Sequence, residues 1–326
     1  MLRNSLFSSI NRIPNLQQRY SGIATIFALH RVADFNPKSL TADLNVSPKF
    51  LENFIIELKQ KGYDFISIDD LYNILVNQED VKNKVLFTLD DGYLDNYTIA
   101  YPIFKRHQVP FTVYLTTNFA DHKAILWWYS LERLILGHDE IVLSDGAKYS
   151  CLNAKQHREA FKHIRQRILD LNQSNLEEEL NALFSNYQID WLSDVRSLAM
   201  DWDDVIELNK DDLATIGGHT LGHPVISQLS DEQLYDEIVL SNQIITQRIN
   251  SPVEHFAYPY GRKQHASHRE FDLITSLGLK TAVTTRKGNI FPEHSQYLSC
   301  LPRRMLEEKY AYYKMIKPSK VRIATD

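Results

Sequence analysis

The sequence contains only two cysteines, Cys151 and Cys300, in 326 residues. They lack a metal-type spacing, so neither a disulfide scaffold nor a structural zinc finger is expected, and reduced thiols are the default. No stretch approaches the ~18 consecutive apolar residues of a membrane span. The opening MLRNSLFSSINRIPNLQQRY has no uninterrupted apolar run of the kind an export signal carries. No transmembrane segment and a soluble, cytoplasmic protein are therefore expected. An excess of positive charge is missing as well: 36 Lys+Arg stand against 41 Asp+Glu, a formal net charge of −5. Phosphate neutralisation needs a basic face, so a nucleic-acid partner is not expected. Internal repeats and low-complexity linkers are also lacking, which favours one elaborated domain.

What is present is an alternation of short apolar runs with helical patterns. GIATIFALH (22–30), KVLFTLDD (84–91), VPFTVYLT (109–116), LATIGGHT (213–220), HFAYPYG (255–261) and KTAVTTRKG (280–288) read as strands. Between them, SPKFLENFIIELKQKGYDF opens on a Ser-Pro start signal and spaces Phe50, Phe54, Ile55 and Leu58 as one helix face. LSDEQLYDEIVLSNQIITQRI sets Ser230 and Gln233 in capping-box spacing ahead of a long helix. Such alternation predicts a parallel sheet or barrel with crossover helices. Residues from about 120 to 200, with Trp127-Trp128 and a charged helical tract, predict a helical insertion. The first 20 residues place Leu2, Leu6, Phe7, Ile10 and Ile13 at helical spacing beside Arg3 and Arg12. That segment predicts an amphipathic helix packed on the protein itself, or one making peripheral contact at the inner membrane surface. Residues 311–326 read as a solvated tail.

Polar residues collect at the ends of the predicted strands. Asp90 and Asp91 end one, His30 ends the first, Tyr260 ends a third, and His219 and His223 follow a fourth. In α/β barrels chemistry gathers at the C-terminal strand ends. The four-residue spacing in HTLGH would bring both imidazoles to one face of a helical turn, where they could share a metal. Adjacent buried carboxylates are costly unless paired or coordinating a cation, so Asp90 or Asp91 is the natural third ligand. The bland alternative is an Asp-Asp-Gly turn with both side chains in water.

TLDDG (88–92), HTLGH (219–223) and FAYPYG (256–261) occur in the order of three motifs of the NodB-type polysaccharide deacetylases, carbohydrate esterase family 4, and the chain resembles that family from about Ala24 to Leu306. FAYPYG resembles the third motif of one bacterial branch. The resemblance implies an α/β fold, a distorted (β/α)7-type barrel, with a domain spanning 21–310. It implies Asp90 as general base for the attacking water and Asp91, His219 and His223 as ligands of a divalent metal. Zinc suits that donor set, as do cobalt, nickel or iron. It also implies the Tyr260 backbone N–H as an oxyanion donor, and Trp128 resembles an aromatic element of that branch that could stack on a sugar face or, with Trp127, anchor the insertion to the barrel. The chemistry fits these residue types, since a divalent ion acidifies water and a nearby carboxylate can take the proton.

Two departures from the family pattern stand out. Ala257 occupies the place of an arginine that pairs with the catalytic aspartate in many members, and Arg303 in CLPRRML is the candidate replacement, with Arg304 the alternative. No late Leu-x-His motif is evident. His294 lacks the apolar context for one, and His30 in FALHRV is the better candidate general acid. The resulting expectation is a metal-dependent hydrolase removing an N-acetyl group from an amino sugar in a glycan, glycolipid or lipid-linked precursor. An O-acetyl esterase, a small-amide hydrolase and a non-catalytic sugar-binding protein are the alternatives.

Overall fold

The computed structural model of the protein describes residues 21–308. The N-terminal amphipathic segment and the C-terminal tail lie outside the described residues. Seven parallel strands build the central barrel: β1 (Ala24–Leu29), β2 (Lys84–Asp91), β3 (Phe111–Leu115), β4 (Ala214–Gly218), β5 (His255–Ala257), β6 (Thr281–Lys287) and β7 (Leu301–Met305). Around the barrel the order is β1-β7-β6-β5-β4-β3-β2, and β2 pairs back to β1 over six residues to close it. The short strand Asp64–Phe65 pairs with the start of β2, on the side where β3 pairs with its end.

Six of these strands coincide with runs expected from the sequence. The seventh, β7, is disguised in the sequence by Pro302 and two adjacent arginines. It pairs with β1 and β6 through both its edges, and its alternation separates the arginines: Leu301 and Arg303 face the barrel interior, and Arg304 faces away, bonding Asn289.

Alternation also organises β2. Val85, Phe87 and Leu89 point outward into a core shared with α1 (Pro48–Gln60) and α3 (Tyr101–His107). There Phe27, Phe54, Phe87, Phe104 and Phe111 form a chain of ring contacts with centroids 4.8–6.2 Å apart. Each such pair contributes about 0.5–1.5 kcal/mol beyond area burial. Leu86, Thr88 and Asp90 point inward. The starts of α1 and α2 (Ile68–Val76) follow their caps: Ser47 accepts the Phe50 N–H, and Ser67 forms a capping box with Asp70.

The insertion is built from α4 (Trp127–Leu136), an antiparallel hairpin (Glu140–Val142 with Lys148–Ser150), α5 (Ala154–Leu169) and α6 (Leu176–Leu183). It is therefore not wholly helical; the hairpin turns at Asp145-Gly146, where Gly146 has φ 85°. The insertion carries its own apolar cluster, including Trp127, Leu131, Ile164, Leu180 and Phe184. The chain then returns to the barrel through α7 (Trp202–Leu208), and α8 (Asp231–Ile249) follows β4 with the Ser230–Gln233 capping box in place. α9 (His268–Ser276) connects β5 to β6. No helix among the described residues is long and apolar enough to cross a membrane.

Candidate metal centre

Asp90 and Asp91 end β2, and strict alternation would send their side chains to opposite faces. The backbone prevents this: Asp91 has φ 79° and Gly92 φ 100°, both in the left-handed region. The turn redirects Asp91, so both carboxylates serve the same end of the barrel. Gly92 is required there, since a Cβ would lie 2.5 Å from the Leu115 side chain.

Asp90 faces Arg303. The guanidinium spans both carboxylate oxygens, Nη1 to Oδ1 and Nη2 to Oδ2, each at 2.7 Å. It also donates to Thr88 Oγ1 and to the Thr284 carbonyl, both at 3.0 Å. Both partners are almost wholly buried. Burial pushes the Asp90 carboxyl up, but the charge and hydrogen bonds of Arg303 outweigh it and hold the group below the usual carboxylate range.

Asp91 faces two imidazoles. Its Oδ1 lies 3.3 Å from His219 Nε2 and 3.4 Å from His223 Nε2. His219 Nδ1 lies 2.7 Å from the Ala257 carbonyl. A carbonyl can only accept, so Nδ1 carries the proton, and in the neutral ring Nε2 presents a lone pair to the carboxylate. Burial pushes His223 down to about 4 against the pull of Asp91. Asp91 Oδ1 is buried with no hydrogen-bond partner. Acceptors converging on one buried point need a cation between them. Asp91, His219 and His223 form the only group of this kind among the described residues, with donor atoms within 4.8 Å of one another. The set fits a divalent metal, with one imidazole held by a backbone carbonyl in the orientation that metal ligation uses.

HTLGH is not a helical turn, as its spacing suggested. Thr220 has φ 67° and His223 φ 61°, so the segment is a left-handed loop that folds back on itself. Its atoms are pinned from three sides. Thr116, just past β3, donates its N–H to the Asp91 carbonyl and its hydroxyl to the His219 carbonyl, tying two ligand-bearing segments together. Glu237 of α8 accepts the Leu221 and Gly222 N–H groups at 2.9 and 3.0 Å. Ser241 donates to the Thr220 carbonyl. Gly218 lets α8 approach this closely, because a Cβ there would meet Asn242 Oδ1 at 2.1 Å.

Three further residues singled out in the sequence also arrive here. His30, half-buried at the end of β1, has a buried Nδ1 without a partner and lies within electrostatic reach of Asp90, Asp91 and His223. Tyr260 sits at φ 59° with its ring 4.8 Å from that of His223. Non-glycine residues in this region cluster at functional sites. Trp128 lies 5.9 Å from His223 on another side and is buried, which leaves little of its ring open to a ligand. His294 is fully buried and bonds the Phe291 backbone, away from this cluster.

Several neighbours escaped the sequence reading. Arg31 pairs with Asp95 at 2.7 Å and lies over the Tyr93 and Tyr129 rings, and Asn96 donates to the His30 carbonyl. Asp95, four residues past Asp91, was the one available signal. Glu237 gave none, being one acid among several on an amphipathic helix.

A closed parallel barrel with a carboxylate–imidazole cluster at its C-terminal strand ends defines a metal-binding α/β-barrel class. The sequence profile of the family described as polysaccharide deacetylase matches residues 77–282, more than half of the chain. The chain belongs to the polysaccharide deacetylase family. A curated relative, the putative polysaccharide deacetylase YxkH of Bacillus subtilis (strain 168), is 32% identical over 81 residues. That stretch is 24% of this chain and 29% of the relative. Among solved structures, the Streptococcus pyogenes deacetylase PplD, described in complex with acetate, shares the fold with a TM-score of 0.61 at 19% identity, covering 91% of this chain and 98% of that one. IcaB from Ammonifex degensii aligns with a TM-score of 0.57 at 15% identity, covering 90% and 96%.

Proposed function

We propose that the protein is a metal-dependent deacetylase that hydrolyses the N-acetyl group of an amino sugar. The observation that carries this reading is the division of the two adjacent aspartates, Asp91 toward the two imidazoles and Asp90 toward Arg303. A divalent metal held by Asp91, His219 and His223 would supply Lewis acidity toward the amide carbonyl and lower the pKa of water.

The chain's own residues supply the rest. Asp90 stays ionised and, with both oxygens fixed by Arg303, is oriented to accept a proton from the attacking water. Its reduced basicity is compatible with that task because a metal held at the same site would make the water more acidic. The Tyr260 N–H has no partner among the described residues, as an oxyanion donor requires. His30, whose Nδ1 has no hydrogen-bond partner, is the residue we assign to protonate the leaving amine.

Arg303 takes the part left vacant by Ala257, which supports membership of the FAYPYG-bearing branch and weakens the non-catalytic alternative. The insertion sets Trp128 beside His223 and packs against Tyr260 of the barrel, which favours a terminal or lipid-linked sugar over the middle of a long polymer. Zinc is the preferred ion on the donor set. The test is acetate release from N-acetylated amino sugars and oligosaccharides, with metal content measured on the same sample. Metal-loaded protein that releases no acetate from any of them would contradict the reading.

A further inference from the structure

An arginine and a histidine meet the Tyr260 ring where the insertion joins the barrel, with a second arginine in the same barrel loop. The Arg165 guanidinium, from α5, lies 5.9 Å from the Tyr260 ring centroid. His265, from the loop after β5, meets the same ring at 5.4 Å, and that ring meets His223 at 4.8 Å. Arg262 is exposed in the loop that carries His265, and its charge acts on both Arg165 and His265.

An acid is missing from this group. Arg167, two residues beyond Arg165, pairs with Asp145 at 2.6 Å, and Arg269, beyond Arg262, pairs with Glu270 at 2.8 Å. Neither Arg165 nor Arg262 has a carboxylate partner among the described residues. No carboxylate charge bears on Arg165 or His265; the charge of Arg262 bears on both, and that of Arg165 on His265. His265 is 6% exposed, and its buried Nδ1 has no hydrogen-bond partner. A half-buried guanidinium without a counter-ion and a buried ring nitrogen without a partner are each unfavourable. One anion seated between them would relieve both.

We propose that Arg165, Arg262 and His265 form an anion subsite beside the metal cluster, which receives a phosphate or carboxylate carried by the sugar substrate. The proposal rests on the deacetylase reading and deepens it by naming a second group on the substrate. The planar guanidinium forks suit two-point binding of either anion, and the Tyr260 ring holds the Arg165 fork in place. His265 is pushed down to about 4 by burial and by the two arginines, so near neutral pH it contributes hydrogen bonding and not a third charge. Arg165 comes from the insertion and the other two from the barrel. The subsite therefore exists only because the insertion packs onto the barrel, which gives the insertion a role in substrate selection.

Glucose 1-phosphate, glucuronate and methyl glucoside carry no acetyl group and cannot be deacetylated. Titrating each into the full-length, metal-loaded protein by calorimetry reads the subsite independently of turnover. One of the two anions should bind at least about tenfold more tightly than methyl glucoside, with a preference that weakens as salt is added. The preferred anion identifies the source, phosphate or carboxylate. Arg165→Gln and, separately, Arg262→Gln at the exposed position should each remove most of that preference with metal content unchanged. Equal binding of the three sugars, no measurable binding of either anion, or a full preference in both variants would overturn the subsite. Acetate release from a neutral N-acetylated sugar by the same protein would then leave the deacetylase reading standing.

Discussion

Both ends of the barrel set a histidine nitrogen 3.3 Å from an aspartate oxygen, His219 with Asp91 at one end and His255 with Asp69 at the other. The surroundings differ. At the N-terminal end a cavity of about 280 Å³ is lined by Asp69, Asp211, Asp212, Glu254 and His255. There Lys280 reaches Asp69 at 2.9 Å and Glu254 at 2.5 Å, and Thr281 bonds His255 Nδ1. Asp69 is also 42% exposed, so water shares in its solvation. At the C-terminal end Asp91 is buried, its Oδ1 has no hydrogen-bond partner, and Arg303 is engaged by Asp90. A histidine beside a carboxylate is thus not informative by itself. What separates a structural pair from a metal centre is whether the chain has already supplied the counter-charge.

That contrast can be broken by mutation. The largest effect should come from Asp91→Ala or His219→Ala, which remove donors at the uncompensated end. Metal content should fall to background and acetate release should stop, whereas retention of stoichiometric metal would contradict the ligand set. Arg303→Met comes next, because it leaves Asp90 buried without its partner. A loss of about 3–5 kcal/mol in urea unfolding is expected, together with loss of turnover; unchanged stability would mean that Asp90 had found another cation.

Glu237→Gln sharpens the comparison in a different way, since Glu237 holds the loop between the two histidines by accepting the Leu221 and Gly222 N–H groups. Competition with a chelator should show metal affinity weakened by about 10–100-fold, with the unfolding midpoint nearly retained. Equal affinity would show that the left-handed loop holds itself. The smallest effect belongs to Asp69→Asn at the compensated end, where the exposed pair with Lys280 contributes at most about 1 kcal/mol. Metal content and turnover should stay at wild-type values, and a loss of either would erase the distinction between the two ends.

Much of the site was legible in the sequence because its polar residues interrupt apolar runs at strand ends, where side-chain alternation and hydrophobicity are easy to read. Asp90, Asp91, His219 and His223 came from such interruptions. Arg303 was legible only through its resemblance to a motif, since the strand that orients it is disguised by Pro302 and Arg304. The choice between Arg303 and Arg304 became clear once β7 was seen pairing on both edges, which sends alternate residues inward. Other features depended on backbone angles that spacing does not encode. HTLGH fits a helical turn by spacing, but positive φ at Thr220 and His223 makes it a loop. Glu237 and Thr116 act through backbone N–H and carbonyl groups, for which the sequence carries no mark. Arg165 joins the site only because the insertion docks against Tyr260, a tertiary contact between segments about 95 residues apart.

The most direct test is Asp90→Asn, with metal content and acetate release measured on one preparation. Separate roles for the adjacent aspartates predict metal at the wild-type ratio with acetate release reduced by about 10²–10⁴-fold. Loss of metal along with activity, or release at the wild-type rate, would contradict them.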